Sequence, residues 1–356
     1  MILLMYNKSN MSLLSGISSF FGLDIGTTAL RLVELRGNNA PKPLLKYAYV
    51  PIDPKVVLSD ARTDQTRLAQ AIKALVDQAQ ISTRNVAVGI PSQRVFTAVV
   101  DFDRLPQNEL AKAIRYQADS LIPTPLDKSK IDWAVIGDSP KDKTKVEVLL
   151  SSVENDFVEQ RLDLLESIGL EVIAFEPDNL ALARALVPST MAAPQLVLDI
   201  GSRSTDLVVI MNDAPRLTRA IPTGAETIIK AAAQNLNIDD AQARQFVFKF
   251  GLDKTKLEGR IHEAIIGTVE LLAGEIEKSI KFFQTRYTNA PVARMIVTGG
   301  ASALPEFPLY LANKFGIEVE IGNAWRNISF PPERQNELLA VSNHFGVAAG
   351  LAERTT

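Results

Sequence analysis

The sequence predicts a two-lobed α/β fold in which both halves carry the same strand–turn–strand unit. Residues 23–35 (LDIGTTALRLVEL) align without gaps on residues 198–210 (LDIGSRSTDLVVI). Each copy reads as an apolar strand, an Asp-x-Gly turn with hydroxyl residues, and a second apolar strand. A third segment, 296–305 (IVTGGASALP), is an apolar strand that runs into paired glycines. The length of 356 residues corresponds to about two domains, so we expect one lobe around each hairpin.

The two Asp-x-Gly turns are candidate phosphate-binding loops. Such a turn points consecutive backbone N–H groups and hydroxyls at one place, which suits phosphate oxygens. The carboxylates of Asp24 and Asp199 precede the glycines and would orient a Mg²⁺ ion that keeps several waters. One copy alone is more often a plain hairpin. Two matched copies predict hairpins that close on a single nucleotide, and the paired glycines Gly299 and Gly300 let a flat ring approach the backbone.

The amino-acid composition excludes several classes of function and of chemical site. The net charge of −3 and the absence of a Lys/Arg run give no indication of nucleic-acid binding. The sequence has no cysteine and two isolated histidines, which excludes disulfides, cysteine nucleophiles and cysteine-based zinc sites. The apolar stretches of residues 1–21 are interrupted by polar residues and show neither a membrane span nor a clear signal peptide. Residues 1–20 are therefore expected to be a lead-in that packs loosely on the first lobe, with Met11 as the alternative start.

Hydrophobic periodicity places the remaining elements in order. Strands are expected at 21–36, 44–52, 86–90, 95–102, 131–136 and 146–153, and helices at 64–80, 107–121 and 155–167. After the second hairpin (196–210), helices are expected at 224–236, 239–250 and 257–287, the last with one apolar stripe. The predicted organisation is lobe I at 21–195 with an inserted β-α-β-β-α unit at about 95–165, lobe II at 196–342 with a helical part at about 224–290, and a return helix to lobe I at 343–356.

The three motifs resemble, in this order, the phosphate-1, phosphate-2 and adenosine motifs of the actin-like ATPase superfamily, which includes actin, sugar kinases and FtsA. The resemblance covers about residues 21–352. It implies an actin-like, ribonuclease H-like duplicated two-lobed ATPase fold that binds ATP with Mg²⁺. The residues that match the superfamily's nucleotide site are Asp24, Gly26, Thr27, Thr28, Arg31, Asp199, Gly201, Ser202, Ser204, Thr205, Gly224, Glu275, Lys278, Gly299, Gly300 and Leu304.

Four positions in or next to this set depart from the pattern or allow a second interpretation. Arg31 stands where actin has a phosphate-contacting lysine, and a guanidinium prefers planar bidentate partners. Ala225 replaces the second glycine of a Gly-Gly pair that many relatives carry, which adds a Cβ near the expected phosphate or ribose. Glu275 and Lys278 lie three apart and outside the apolar stripe of the long helix. The resemblance implies that this pair contacts the ribose, and the alternative is a solvated ion pair.

The inserted unit resembles one branch of this superfamily, the type IV pilus assembly protein PilM family. The resemblance rests on Glu109-Leu110, on residues 114–126 (IRYQADSLIPTPL), on Ile131-Asp132-Trp133, and on Phe175-Glu176-Pro177 through Arg184. It implies that the insert is an FtsA-type 1C subdomain. It further implies a cytoplasmic ATP-binding component of a type IV pilus or related secretion platform, held at the inner membrane by the N-terminal tail of a PilN-like bitopic protein. Pilus motor ATPases and self-association are further partners that it allows.

The sequence leaves hydrolysis open. Glu176 is the candidate for positioning an attacking water, and its alternative role is to cap the amides that begin the next helix. Two other functions were weighed. A small-molecule kinase would need a general-base aspartate between the phosphate loops, and an FtsA-like filament protein would carry a C-terminal amphipathic helix. The resemblance favours an ATP-holding protein with slow turnover over both.

The insert supplies the candidate docking surface. A partner tail would bind in extended form along an edge of its sheet. The expected apolar wall is Ile122, Pro123, Leu126, Ile131 and Trp133, with Arg94 and Arg104 at the rim. The alternative is that the apolar residues form the insert's own small core.

Overall fold

The structure is a computed structural model that describes residues 19–37, 39–188 and 193–354. The chain divides into two compact units. Unit 1 contains the described residues up to Ala185 together with Trp325–Asn336 and the described residues from Val347 onward. Unit 2 contains Leu186–Ala324 and Glu337–Gly346.

Over the described residues, the first part of unit 1 holds eight strands and five α-helices. They are β1 (Phe21–Ile25), β2 (Ala29–Leu35), β3 (Lys42–Pro51), α1 (Pro54–Leu58), α2 (Arg62–Gln78), β4 (Asn85–Ile90), β5 (Val95–Asp103), α3 (Gln107–Leu121), β6 (Ser129–Asp138), β7 (Lys145–Glu154), α4 (Asn155–Ser167), β8 (Glu171–Pro177) and α5 (Asp178–Leu186).

Unit 2 follows, and the chain then contributes Trp325–Asn336 to unit 1, Glu337–Gly346 to unit 2 and its last described residues, from Val347, to unit 1. The elements are β9 (Gln195–Ile200), β10 (Thr205–Met211), β11 (Ala214–Ile221), α6 (Ala225–Leu236), α7 (Asp240–Phe250), α8 (Arg260–Arg286), β12 (Arg294–Thr298), α9 (Phe307–Phe315), β13 (Glu318–Ile321), β14 (Ile328–Ser329), α10 (Gln335–Val341) and α11 (Gly346–Ala352).

The duplication predicted from the hairpins extends to five strands of each large sheet. The six-stranded sheet of unit 1 has the order β14-β3-β2-β1-β4-β8, and the five-stranded sheet of unit 2 has the order β11-β10-β9-β12-β13. In both, three antiparallel strands are followed by two strands parallel to the first strand of the hairpin. The two-lobed, duplicated α/β fold class is therefore confirmed.

The insert is a three-stranded sheet, β5-β7-β6, with α3 on one face. Phe102, Leu110, Ile114 and Val148 form its core, because alternate residues of β5 and β7 and one stripe of α3 are apolar. The helix α4, which the sequence grouped with the insert, packs elsewhere. Its buried side chains join the hydrophobic core under the sheet of unit 1.

Helix α8 begins three residues later than expected from the sequence. The prediction of a helix from 257 extended the apolar periodicity to Leu257. In the structure Leu257, Glu258 and Gly259 have φ angles of +47°, +56° and +75°, so none of them has right-handed helical backbone. The helix starts at Arg260 and continues to Arg286.

The return segments complete unit 1. Strand β14 pairs with the start of β3, and the Trp325 ring packs edge-on against Tyr47 with centroids 5.6 Å apart. Helix α11 lies so close to α5 that a Cβ on Gly350 would be 1.9 Å from the carbonyl oxygen of Ala181. A side chain at this position is therefore excluded, which accounts for the glycine in this small-residue helix.

Candidate functional site

The hairpin of unit 1 places Asp24 and Arg31 directly across from one another in the β1–β2 register. The Nη1 atom of Arg31 donates to Oδ2 of Asp24 at 3.0 Å. Burial raises the pKa of Asp24, and the charge and hydrogen bond of Arg31 offset this only in part. A buried carboxylate of this kind is stabilised further by a second cation, as a hydrated Mg²⁺ would supply. In this structure the Arg31 guanidinium is the hydrogen-bond and charge partner of Asp24.

The turn of this hairpin has free backbone donors. Among the described residues, no carbonyl accepts a hydrogen bond from the amides of Thr27 or Thr28, whereas the carbonyl of Thr28 accepts from Ile52 at 3.0 Å. The hydrogen bond to the Thr28 carbonyl thus holds the loop in place. The amides of Thr27 and Thr28 remain available to a ligand. This arrangement suits an anionic ligand.

The hairpin of unit 2 is closed more tightly. The amide of Gly201 donates to the carbonyl of Ser204 at 2.9 Å. The amides of Ser202, Arg203 and Ser204 donate to no carbonyl of the described residues. The Thr205 hydroxyl is buried and donates to the carbonyl of Thr223 at 2.8 Å, so it supports the loop from behind. Of the two hairpins, this one therefore offers the longer run of successive amides that a phosphate group could use.

Helix α6 starts against this loop. The first two amides of the helix, from Ala225 and Glu226, donate to the carbonyls of Gly201 and Ser202 at 2.9 and 2.8 Å. A Cβ on Gly224 would lie 2.6 Å from the Ser202 carbonyl oxygen, which explains the glycine. The methyl group of Ala225 is buried in the core of unit 2, so this departure from the Gly-Gly pattern adds its Cβ to the core.

The paired glycines lie beside the same loop. Strand β12 runs parallel to β9 with Thr298 next to Asp199, so Gly299 follows directly alongside that aspartate. Gly299 has a φ of +84°, and a Cβ there would be 2.2 Å from Oδ1 of Asp199. Leu304 is buried in the core and supports the turn from below.

Asn343 holds this turn in place, and no sequence motif indicates this role. Its carbonyl accepts from the Gly299 amide at 2.7 Å and from the Thr298 hydroxyl at 3.0 Å. Its Nδ2 donates to the Gly299 carbonyl and to the Ser302 hydroxyl, both at 3.3 Å. Because Asn343 is more than forty residues away in sequence, only the fold brings it to the glycines.

A cavity of about 640 Å³ opens beside the phosphate loop of unit 2. Ligand pockets for small molecules usually fall between roughly 300 and 1,000 Å³. Glu226 joins the cavity to the loop, because its Oε1 accepts from the Ser202 hydroxyl at 2.8 Å. The cavity is lined by Arg203, Pro222, Glu226, Thr227, Lys230, Ala231, Gln234 and Thr268.

This polar face of α6 is not among the candidate sites predicted from the sequence, although the spacing of its residues is visible there. Glu226, Lys230 and Gln234 follow one another at intervals of four and therefore lie on one face of the helix. Glu275 and Lys278 do not line the cavity. Glu275 accepts instead from Lys278 and from Arg219, each at 2.6 Å, and the hydrogen bonds of Lys278 and Arg219 lower its pKa.

Glu176 is fully buried at the end of β8 and accepts hydrogen bonds from two arginines. Arg184 on α5 contacts both carboxylate oxygens, with Nη1 3.2 Å from Oε2, and Arg354 donates to Oε2. Burial acts to raise the pKa of Glu176, but the charges and hydrogen bonds of the two arginines together hold it below its ordinary value. The carboxylate thus joins β8, α5 and the segment that follows α11.

The same corner of unit 1 holds a second buried acid. Burial raises the pKa of Glu353 to about 7, and the hydrogen bond from Asn327 and the charges of Arg184 and Lys42 offset this only in part. Burial also lowers the pKa of Lys42 to about 8. The Lys42 ammonium donates to the carbonyls of Ala352 and Arg354, at 3.4 and 2.6 Å.

The raised pKa of Glu353 predicts a pH-dependent stability. A carboxyl with a higher pKa in the folded state stabilises the fold below its ordinary pKa, near 4.5, and this stabilisation is lost as the pH rises through 7. Glu353→Gln should therefore gain stability relative to the parent between pH 5 and 7.5, by about 3 kcal/mol in the free energy of unfolding. Urea titrations across this range measure it, with exposed Glu333→Gln as control. A difference between variant and parent that is constant with pH would contradict the assignment.

The candidate docking residues divide into two groups. Ile122 is buried in the insert's core, and Leu126, Ile131 and Trp133 are half-buried against it, whereas Pro123 is exposed. Arg94 precedes the nine-residue β5 and Arg104 follows it, so the two lie roughly 30 Å apart along the strand. Arg104 pairs with Asp138 at 2.7 Å. The two arginines therefore do not share one rim.

Comparison with known proteins identifies the family. The model of the family described as Type IV pilus assembly protein PilM matches residues 22–356. The chain belongs to the PilM family. The insert that suggested this branch of the actin-like fold is the β5-β7-β6 sheet with α3.

Solved structures agree with the assignment to the PilM family. A chain of a PilM–PilN type IV pilus biogenesis complex is 27% identical, with a TM-score of 0.78, and the match covers 93% of this chain and 97% of that chain. EutJ of Carboxydothermus hydrogenoformans is 18% identical, with a TM-score of 0.56 and coverage of 94% and 88%. MreB 5 of Spiroplasma citri bound to AMPPNP is 11% identical, with a TM-score of 0.52 and coverage of 93% and 94%. The last two show the actin-like fold alone.

These findings establish an actin-like fold in a protein of the type IV pilus assembly PilM family. Over the part of the chain that the structure describes, no helix is both long and apolar enough to span a bilayer.

Proposed function

We propose that this protein is the cytoplasmic, ATP-binding actin-like component of a type IV pilus assembly platform and that it docks the N-terminal tail of a PilN-like membrane protein. Membership of the PilM family carries the proposal. The match to a chain solved within a PilM–PilN complex supports the partner.

The nucleotide half of the proposal rests mainly on unit 2. The amides of Ser202, Arg203 and Ser204 would receive phosphate oxygens, and Asp199 would orient Mg²⁺ through water. The adjoining cavity would hold the nucleoside, with Glu226 and Lys230 as hydrogen-bonding groups for the ribose or base. In unit 1, Asp24 and the amides of Thr27 and Thr28 would contribute in the same way.

Replacement of the aspartates tests the nucleotide half. Asp199→Ala and Asp24→Ala should each weaken MgATP binding roughly tenfold or more, because a charged partner of a hydrogen-bonded site contributes on the order of 1.5–3 kcal/mol. Isothermal titration calorimetry with MgATP measures this. The matched control is Asp77→Ala, whose carboxylate is exposed on α2 and pairs with Lys73. Parent-like affinity in both aspartate variants would remove the proposed magnesium site.

We propose that this protein hydrolyses ATP slowly. A glutamate that positions water must reach water, and both oxygens of Glu176 are buried under two guanidiniums. The protein would then hold ATP as a structural ligand that stabilises one conformation. The kinase and filament alternatives gain no support from the family match.

The docking half concerns the insert. Pro123, Leu126 and Trp133 remain partly or fully exposed and follow one another around the end of α3 and the start of β6. An extended tail would add to β6, which is an outer strand of the sheet β5-β7-β6 in the described part of the chain, and would place alternate side chains against these groups. A buried tail of some ten residues gives a small interface and hence micromolar affinity.

Point variants test docking better than removal of residues 95–165, because that deletion would also remove α4 from the core of unit 1. Pro123→Ser and Leu126→Ser are expected to weaken binding of a synthetic PilN-type tail peptide roughly tenfold. Fluorescence anisotropy measures the affinity. Tyr116→Ser, on the exposed face of α3, is the control. Equal affinities in all three variants would place the tail elsewhere.

A further inference from the structure

The outer face of α8 carries two large apolar side chains that are mostly exposed. Leu271 is 74% exposed and Phe282 is 67% exposed, and among the described residues only Tyr116 has a more exposed large apolar side chain. The opposite face of the same helix is buried in the core of unit 2. Leu271 and Phe282 are eleven residues apart, so they lie on one side of the helix and about 16 Å apart along its axis.

These two residues belong to a row with the spacing of a coiled coil. Six side chains of α8 recur at alternating intervals of three and four residues, which is the a/d pattern of a heptad repeat. None of them belongs to the buried stripe of the helix. A helix with such a row packs well along a second helix. The row, here called the α8 seam, consists of Thr268, Leu271, Glu275, Lys278, Phe282 and Thr285.

The α8 seam is symmetric about its centre. The centre lies between Glu275 and Lys278, Leu271 and Phe282 follow at equal distances on the two sides, and each end is a threonine. When two copies of the helix pack antiparallel about a two-fold axis through this centre, each residue lies opposite its counterpart on the other copy. Glu275 then faces Lys278 of the second copy, and Leu271 faces Phe282. A parallel pair would instead place like charges opposite one another, which is unfavourable.

The charged pair at the centre is accessible to a second copy. Nζ of Lys278 donates to Oε1 of Glu275 at 2.6 Å, and the Lys278 side chain is 70% exposed. Arg219 donates to the other carboxylate oxygen of Glu275. Because an exposed ion pair contributes little to stability by itself, Lys278 can exchange its own Glu275 for that of a second copy at small cost. Polar residues within such a seam also fix the register of the two helices.

We propose that two copies of this protein associate through the α8 seam, with the two helices antiparallel. The seam covers about five turns of helix, so the buried area falls at the low end for specific interfaces and the affinity is micromolar. This association goes beyond the proposed function, because it requires neither the phosphate loops nor the insert.

Charge reversal tests the pairing. Glu275→Lys and Lys278→Glu should each weaken the dimer roughly tenfold or more, because each change places like charges opposite one another twice in the dimer. An equimolar mixture of the two variants should restore dimers, since opposite charges then face one another again. Sedimentation velocity at micromolar concentrations measures this. The matched control is Lys73→Glu, which reverses one charge of an exposed ion pair on α2 and should dimerise as the parent does.

Cysteine cross-linking tests the direction of the helices. The sequence has no cysteine, so introduced cysteines report without background. A mixture of Leu271→Cys and Phe282→Cys should form disulfide-linked dimers, whereas either variant alone should form few. In the antiparallel pair, position 271 lies about 16 Å from position 271 of the second copy, and a disulfide needs Cα atoms within roughly 7 Å.

Three results would overturn the proposal. The first is a parent protein that sediments as a monomer at every concentration. The second is cross-linking of Leu271→Cys with itself as fast as with Phe282→Cys, which would indicate a parallel contact. The third is dimerisation of parent strength in both charge-reversal variants. If these variants also bound MgATP more weakly, Glu275 and Lys278 would belong to the nucleotide site instead.

Discussion

Glu176→Gln is expected to unfold unit 1 more easily by about 3 kcal/mol. The amide cannot neutralise Arg184 and Arg354, and removal of one partner from a buried ion pair typically costs about 3–5 kcal/mol. We expect the lower end, because the Arg184 side chain is 26% exposed and recovers part of its hydration. Both tryptophans, Trp133 and Trp325, lie in unit 1, so tryptophan fluorescence in urea follows this unit specifically.

Glu171→Gln is the matched control, since it makes the same change at an exposed position of the same strand. Its urea midpoint should equal that of the parent. A parent-like midpoint for Glu176→Gln, combined with loss of a slow ATPase activity, would instead favour the water-positioning role.

Gly299→Ala should destabilise unit 2 by about 3 kcal/mol or more and also weaken MgATP binding. The new Cβ would lie 2.2 Å from Oδ1 of Asp199 and 2.6 Å from the carbonyl oxygen of Ile200, at a φ of +84°. A non-glycine residue in this conformation costs roughly 1–3 kcal/mol, and the overlap adds to it. Because the aspartate must move, the proposed magnesium position would move with it. Thermal unfolding followed by circular dichroism, and calorimetry with MgATP, measure the two effects.

The neighbouring glycine provides the control for Gly299→Ala. The closest atom to a Cβ on Gly300 is Cε1 of His344, at 3.7 Å, which is an ordinary contact. Gly300→Ala should therefore melt as the parent does. If Gly299→Ala also kept the melting temperature and affinity of the parent, the close approach of this turn to Asp199 would be incorrect.

The features that could be predicted from the sequence are those formed by residues that are close together in the chain. The hairpins at Asp24 and Asp199 and the turn at Gly299 were predicted because their strands, turns and glycines are contiguous in sequence. The fold class followed from their duplication, and the insert identified the family. The elements of the insert were predictable for the same reason, since hydrophobic periodicity is a property of neighbouring residues.

Long-range partners account for what was missed. Glu176 was interpreted as catalytic or capping because Arg354, its second partner, is 178 residues away. The contact of Arg94 with the Phe157 ring, and the hydrogen bonds of Asn343 to the glycine turn, likewise depend on the fold. The cavity face of α6 was different, since the spacing of Glu226, Lys230 and Gln234 was visible in the sequence.

The discontinuity of unit 1 has a consequence for synthesis on the ribosome. The carboxylate of Glu176 is made before unit 2, but the guanidinium of Arg354 and the helix that seats Gly350 are made after it. Domains fold as units while the chain grows. Until Arg354 has been made, the Glu176 carboxylate of unit 1 has only Arg184 as an ion-pair partner. Unit 2 has its five strands contiguous in the chain, and its last segment, Glu337–Gly346, is also made before Val347, so unit 2 can be completed first. The order of folding is then the reverse of the order of translation.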